Sequence, residues 1–225
     1  MGRAPYAQVL TLQEELRESV LCGTGAETLL LVEHPPVITL GRHGDAAHVL
    51  ASPSQLADLQ IPVLRVARGG DATYHGPGQL VGYPVFRLRD GIRAHMTGMA
   101  EAIGAVLAEL GIVAEWRTSH PGLWLGREKI CAVGVHVRRG VAIHGFALNV
   151  SVDLESFASI VPCGLRELGV TSIARTLGSC PTMDEMAERT EHAFARRFGI
   201  ELVRRPCPIR DCKSQIGIGK IDSPS

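Results

Sequence analysis

Residues 129–150 read KICAVGVHVRRGVAIHGFALNV. Two runs rich in Val, Ile and Ala flank Arg138-Arg139-Gly140, and β-prone runs on either side of a short glycine-containing link predict an antiparallel hairpin. Immediately upstream, Val113 to Trp116 and Leu123 to Leu125 read as two further short strands. A strand-rich stretch with a hairpin at its centre is not the regular βαβ alternation of a doubly wound sheet. The expected fold class is therefore α+β (mixed α/β).

The rest of the chain supplies the helices. Val9, Leu12, Leu16 and Val20 recur at helical spacing, which predicts a helix over 7–21 ended by Gly23 and Gly25. Thr28 to Glu33 and Val37 to Leu40 read as strands divided by His34-Pro35-Pro36, since proline breaks a ladder. Ser52-Pro53 opens a short helix through Leu59, and Val63 to Val66 is a strand. Arg68 to Gln79 reads as a glycine-rich loop, Leu80 to Leu88 as a strand and Ala94 to Leu110 as a helix. Thr182 is placed to cap a helix through Phe198, followed by a strand over Ile200 to Val203. After Arg204 the apolar periodicity fades. One catalytic domain over residues 1–204 and a flexible tail over 205–225 are expected.

Composition narrows the function. At 225 residues, 45% hydrophobic and 20% charged, the chain carries enough apolar material for a large core, with aromatics at only 4%. Lys plus Arg and Asp plus Glu are 23 each, so no net charge draws the protein to nucleic acid or to an anionic membrane. Apolar runs such as Leu29 to Val32 fall far short of the roughly 18 residues a membrane span requires. The opening Met-Gly-Arg-Ala-Pro-Tyr carries no signal-peptide apolar stretch, so a cytoplasmic protein with its six cysteines as free thiols is expected. Cys207 and Cys212 lack the zinc-type spacing and a nearby histidine, so no metal is expected.

Several segments bear residue types that do chemistry. The loop from Arg68 to Gln79 holds four glycines, an arginine and a histidine, and such a loop aims several N–H groups at one ligand. It matches neither Gly-x-x-x-x-Gly-Lys-Ser/Thr nor Gly-x-Gly-x-x-Gly, so nucleotide binding has no motif behind it. Cys163 stands between Pro162 and Gly164, which would present a thiol on a sharp turn. A free thiol with a pKa of about 8.5 is mostly protonated at pH 7, so a nucleophilic role needs a cation beside it. Lys129 is interesting only in that company, because a strand-opening lysine is ordinarily solvated. His144-Gly145 sits inside a strand, where glycine weakens the ladder unless a ligand or another backbone comes close.

Taken together, Leu31-Val32-Glu33-His34-Pro35-Pro36-Val37, Arg68-Gly69-Gly70 with Thr73-Tyr74-His75-Gly76-Pro77-Gly78-Gln79, Pro121-Gly122-Leu123-Trp124, Lys129-Ile130, His144 to Asn149 and Pro162-Cys163-Gly164 closely resemble the octanoyltransferase family, also called lipoyl(octanoyl) transferase or lipoate-protein ligase B. The match runs in order from about residue 29 to residue 175. The resemblance implies a single domain like the catalytic domain of biotin and lipoate protein ligases, a mixed sheet with flanking helices. It implies an acyltransferase that moves octanoyl from octanoyl-acyl carrier protein to a specific lysine of lipoyl domains, on 2-oxoacid dehydrogenase E2 subunits and the glycine-cleavage H protein, with no cofactor. By motif position Cys163 is implied as the acyl-thioester nucleophile and Lys129 as the base that lowers its pKa. Arg68, Gly69, Gly70, Asp71, Ala72, Thr73, Tyr74 and His75, with Ala132, Val133, Gly134, Gly145, Phe146 and Ala147, are implied to line the substrate site.

Thioester exchange is nearly isoenergetic and aminolysis of a thioester is downhill, which accounts for the missing phosphate loop. Oxyanion donors are expected among the backbone N–H groups of Gly76 to Gly78 or Cys163 to Gly164. Cys131, where alanine or glycine is expected, would project to the same side of its strand as Lys129 and offers a second thiol. Two rival readings remain: an ATP-dependent lipoate or biotin ligase on the same scaffold, and a noncatalytic lipoyl-domain binding module.

Overall fold

A computed structural model describes residues 2–161, 168–205, 209 and 215–218. In chain order the elements are α1 (Tyr6–Cys22), β1 (Thr28–Val32), β2 (Val37–Leu40), α2 (Pro53–Asp58), β3 (Val63–Arg65), β4 (Ala72–His75) and β5 (Gln79–Val85). There follow α3 (Gly91–Glu109), β6 (Glu115–Arg117), β7 (Gly122–Leu125), β8 (Glu128–Arg138) and β9 (Val141–Asn149). The chain continues through β10 (Gly169–Val170), α4 (Ile173–Leu177), α5 (Met183–Phe198), β11 (Leu202–Arg205) and β12 (Gln215–Ile218).

The hairpin at 128–149 is the middle of the molecule. Arg138 pairs with Val141, leaving Arg139 and Gly140 as a two-residue link at φ +49° and +78°, the left-handed pair that matches strand twist in a type I′ turn. Around β8 and β9, the described strands form a nine-stranded sheet in the order β11-β12-β1-β5-β9-β8-β7-β6, with β10 added parallel to β8. Helices α3 and α5 cover one face: Met99, Ile103, Leu107, Met186 and Phe194 are buried there with Leu80, Ile130 and Leu148 from the strands. Helix α1 crosses the other face, burying Tyr6, Val9 and Leu12 against Leu30, Val81 and Ala147. A separate small sheet, β3-β2-β4, has its own apolar cluster with Tyr74, Phe157 and Ile160.

Local chemistry sets most boundaries. Helix α5 starts on a capping box, with Thr182 accepting from the Glu185 N–H and Glu185 accepting from the Thr182 N–H, and it stops at Gly199 with φ +61°. Two expectations change. The stretch Arg68 to Gln79 is not all loop, because Ala72 to His75 pairs antiparallel with β2 as β4. Within the run read as a tail, Gln215 to Ile218 pairs with β1 and β11; backbone ladder bonds place it, and no side-chain periodicity announces them. No described helix is long and apolar enough to cross a membrane.

Candidate active site

Lys129, Ala132, Val133 and Gly134 of β8 and Gly145, Phe146 and Ala147 of β9 border one cavity, about 820 Å³ when the solvent-open mouth is included, on the α1 side of the sheet. Its floor is made of small residues directly opposed across the hairpin, Ala132 to Ala147 and Gly134 to Gly145. A Cβ on Gly145 would collide with the Gly82 carbonyl oxygen, which explains the glycine within that strand. The roof is the loop Arg68 to Asp71, laid on β8 by the bond from the Gly69 N–H to Val135 O, 3.0 Å. A Cβ on Gly134 would come within 3.1 Å of the Gly69 carbonyl oxygen. Arg68 braces this roof: its guanidinium donates to Thr39 O at 2.7 Å, to Thr39 Oγ1 at 2.8 Å and to Gly69 O at 3.0 Å.

One wall is a buried polar chain whose proton positions follow from its fixed ends. Gln79 Nε2 donates to Tyr74 O (3.3 Å) and to Asn149 Oδ1 (2.9 Å), so its Oε1 faces His75 Nδ1 at 2.7 Å and His75 must donate there. Asn149 Nδ2 donates on to Thr171 O at 2.9 Å, and the Thr171 N–H returns to Lys129 O at 3.0 Å. His34 donates from Nδ1 to Ala4 O at 2.7 Å and meets the Tyr83 hydroxyl through Nε2 at 2.7 Å. Burial keeps His75 and His144 neutral, seconded by the neighbouring His34 for His75 and by the charge of Arg68 for His144, with pKa values pushed down to about 3 for each; burial pushes His34 down to about 4.

His144 is held in the left-handed region, φ +60°, and its N–H is taken by Gln13 Oε1 of α1 at 2.8 Å. Pairing of β5 with β9 stops at Gly82 opposite Phe146, two residues before Pro84, which has no N–H to offer the ladder. Helix α1 supplies the acceptor that β5 does not.

Lys129 is buried at the cavity wall. Its ammonium lies 4.8 Å from the centre of the Trp124 ring and 3.4 Å from Pro121 O, and the Trp124 indole N–H is tied to His120 O at 3.2 Å. Gly122 lets the chain come this near: a Cβ there would collide with Cys131 O and touch the lysine stem.

Of the residues expected at the site, Arg68, Gly69, Gly70, Asp71, Ala72, Thr73, His75, Ala132, Val133, Gly134, Gly145, Phe146, Ala147 and Lys129 border this one cavity. Tyr74 does not; strand alternation turns it into the cluster under β4, where its ring meets Phe157 with centroids 5.4 Å apart. Cys163 lies outside the described residues. Tyr6, Tyr83, Asn149 and Val170 also border the cavity and were not anticipated, because no spacing in the sequence signals that α1 crosses β5 and β9. Gly78 is a poor oxyanion donor, since its N–H is already given to Glu33 Oε1 at 2.8 Å. Among the described residues no group of three or more His, Cys, Asp or Glu side chains could hold a metal ion.

Cys131 departs from its expected side. Leu123 pairs with Cys131 but Trp124 with Lys129, so Ile130 is an extra residue in β8 and the bulge reverses the alternation between 129 and 131. Cys131 is buried in the α3–α5 core, and burial pushes its thiol up to about 12 despite the nearby Lys129 ammonium. Cys131→Ala should leave acyl transfer within about twofold of wild type and cost about 1 kcal/mol of stability, about that of one buried methylene; steady-state rates and urea unfolding check both. A large loss of transfer would return Cys131 to the mechanism.

The lipoyl protein ligase A/B catalytic domain matches residues 5–195. An octanoyltransferase of Solibacter usitatus is 48% identical over 206 residues, 90% of this chain and 93% of that protein. One from Myxococcus xanthus is 44% identical over 219 residues, 93% of this chain and 61% of that protein. Among solved structures, a lipoate-protein ligase A bound with ATP superposes with a TM-score of 0.70 at 20% identity, covering 88% of this chain and 84% of that one. A putative lipoate protein ligase from T. acidophilum superposes with a TM-score of 0.68 at 20% identity, covering 88% and 83%. With a domain match over most of its length and relatives above 40% identity, this chain belongs to the octanoyltransferase family of acyltransferases.

Proposed function

We propose that the protein moves an octanoyl group from octanoyl-acyl carrier protein to a specific lysine of lipoyl domains, on 2-oxoacid dehydrogenase E2 subunits and the glycine-cleavage H protein, in the cytoplasm. The supporting observation is the cavity itself: a floor of Ala132, Gly134, Gly145 and Ala147 with a buried ammonium, Lys129, on its wall. At about 0.8 kcal/mol per buried methylene, an eight-carbon chain in such a groove gains roughly 5 kcal/mol without any charged contact.

Cys163 attacks the carrier thioester as the thiolate that the Lys129 ammonium stabilises, and the carrier thiol leaves with a proton given by Lys129, which becomes the amine. The acceptor lysine, as the free amine, then attacks the acyl-cysteine; its N–H proton goes to the Lys129 amine, and Cys163 is released as the thiolate beside the restored ammonium. Atoms and charge balance with no nucleotide, as expected for thioester to amide.

Mixing the enzyme with octanoyl-carrier protein and no acceptor should add one octanoyl group to the intact mass, mapped to Cys163 and removed by hydroxylamine. An unchanged mass, or an adduct on another residue, overturns the covalent route. Transfer that proceeds only with ATP and free octanoate would favour the ligase reading instead.

A further inference from the structure

The stretch from Gly41 to Ala51 joins two segments that the proposed reaction needs. On one side it runs along the roof of the cavity: Arg42 N–H donates to Arg68 O at 2.9 Å, Gly41 N–H to Asp71 O at 3.1 Å, and Asp45 N–H to Asp71 Oδ1 at 3.2 Å. On the other side it holds the run-in to Cys163. Leu50 and Ala51 N–H groups donate to Ser159 O at 2.8 and 3.2 Å, and Val49 bridges Ile160 antiparallel.

His48 belongs to both sets. Its carbonyl accepts from the N–H of Val161, two residues before Cys163, at 2.8 Å. Its ring nitrogen Nδ1 lies 2.5 Å from Asp71 Oδ2, on the cavity loop. Nδ1 is buried and finds no other partner among the described residues, and a ring nitrogen this close to a carboxylate oxygen faces it as a donor, through Nδ1–H. The turn that presents His48, Ala46 to His48, is itself fixed by Asp45 Oδ1 accepting from the Ala47 N–H at 2.9 Å. His48 does not border the cavity, so it acts on bound acyl chains only through these two neighbours.

We infer that His48 is a positioning residue for acyl transfer, its ring holding Asp71 of the cavity roof and its backbone holding Val161, so that the cavity and the segment entering Cys163 keep one relative placement. The role rests on the reading of Cys163 as the nucleophile. Displacing reacting groups by about 1 Å costs up to 10²-fold in rate.

Three proteins test it, by single-turnover acylation with octanoyl-carrier protein. His48→Ala should acylate Cys163 about 10- to 100-fold more slowly at saturating carrier, with the carrier concentration at half-maximal rate changed by less than about threefold. His48→Asn, whose amide N–H takes the place of Nδ1–H opposite Asp71, should return to within about fivefold of wild type. Should the alanine variant fail to fold, His48→Gln replaces it, since the extra methylene carries the amide past Asp71. An alanine or glutamine variant at the wild-type rate, an asparagine variant as slow as either, or a loss confined to the half-saturating concentration overturns the positioning role while leaving Cys163 as nucleophile. A wild-type enzyme that forms no Cys163 adduct overturns the nucleophile reading and this role with it.

Discussion

Lys129→Met should slow acylation of the enzyme by about 10² to 10⁴-fold at pH 7, the range that a positioned proton-transfer group contributes. Methionine keeps much of the buried volume beside Trp124, removes the ammonium and spares the fold the desolvation cost of a buried charge. The variant should therefore fold, and circular dichroism melting separates a chemical loss from a structural one. Its residual rate should climb with pH, because an unassisted thiol with a pKa of about 8.5 gains thiolate roughly tenfold per unit below that value. The deficit against wild type should then be smaller at pH 9 than at pH 7. Octanoyl-enzyme formation followed by rapid quench and mass spectrometry gives both numbers, and a variant within threefold of wild type removes Lys129 from the mechanism.

Acidification from pH 7 to pH 5 should destabilise the protein steeply. Burial pushes His34 and His95 down to about 4 and, with charged neighbours, His75 and His144 to about 3, against 6.5 for an exposed imidazole. Below 6.5 the unfolded chain binds protons at these four positions and the folded chain does not, so stability falls as pH falls, by about 1.4 kcal/mol per unit for each group. The full contribution is present above about 6.5 and is lost progressively as pH falls toward the folded values. At pH 5 each histidine accounts for about 2 kcal/mol, and four together are comparable with a whole domain's typical stability of about 5–15 kcal/mol. Glu27, whose carboxyl burial pushes up, works in the opposite sense but is one group.

Urea unfolding at pH 7.5, 6.5 and 5.5 should show the midpoint nearly level across the first interval and dropping across the second. His95 gives an internal check: it is remote from the cavity, its ring contacts Phe86 and Phe198, and its Nε2 finds no partner among the described residues. His95→Phe should lie about 2 kcal/mol higher relative to wild type at pH 5 than at pH 7. A pH-independent midpoint would mean that these imidazoles ionise in place.

The elements legible in the sequence are those written in neighbouring residues. The Arg139-Gly140 turn and the Thr182 cap each depend on residues a few positions apart, and both stand where the sequence predicts; the structure adds the return bond to Glu185. Strand β4 was not legible, because Ala72-Thr73-Tyr74-His75 has no clear alternation and owes its form to the backbone of β2. The cavity was half legible: the glycine-rich and histidine-glycine segments announce themselves, whereas Tyr6 and Tyr83 carry no local signature.

Sequence alone determined the strand and helix inventory near 128–149 and 182–198, since this rests on periodicity and on bonds between close neighbours, and the motifs shared with a known family implied most of the small and polar residues that border the cavity. Tertiary structure decided which side of β8 each residue faces. A single extra residue at Ile130 sends Lys129 to the cavity and Cys131 to the core, and that bulge exists only in the pairing with β7. It also decided that His48 meets both Asp71 and Val161. Burial is non-directional and long-range pairing is not encoded in any one segment, so convergence of distant residues appears only when the sheet is assembled.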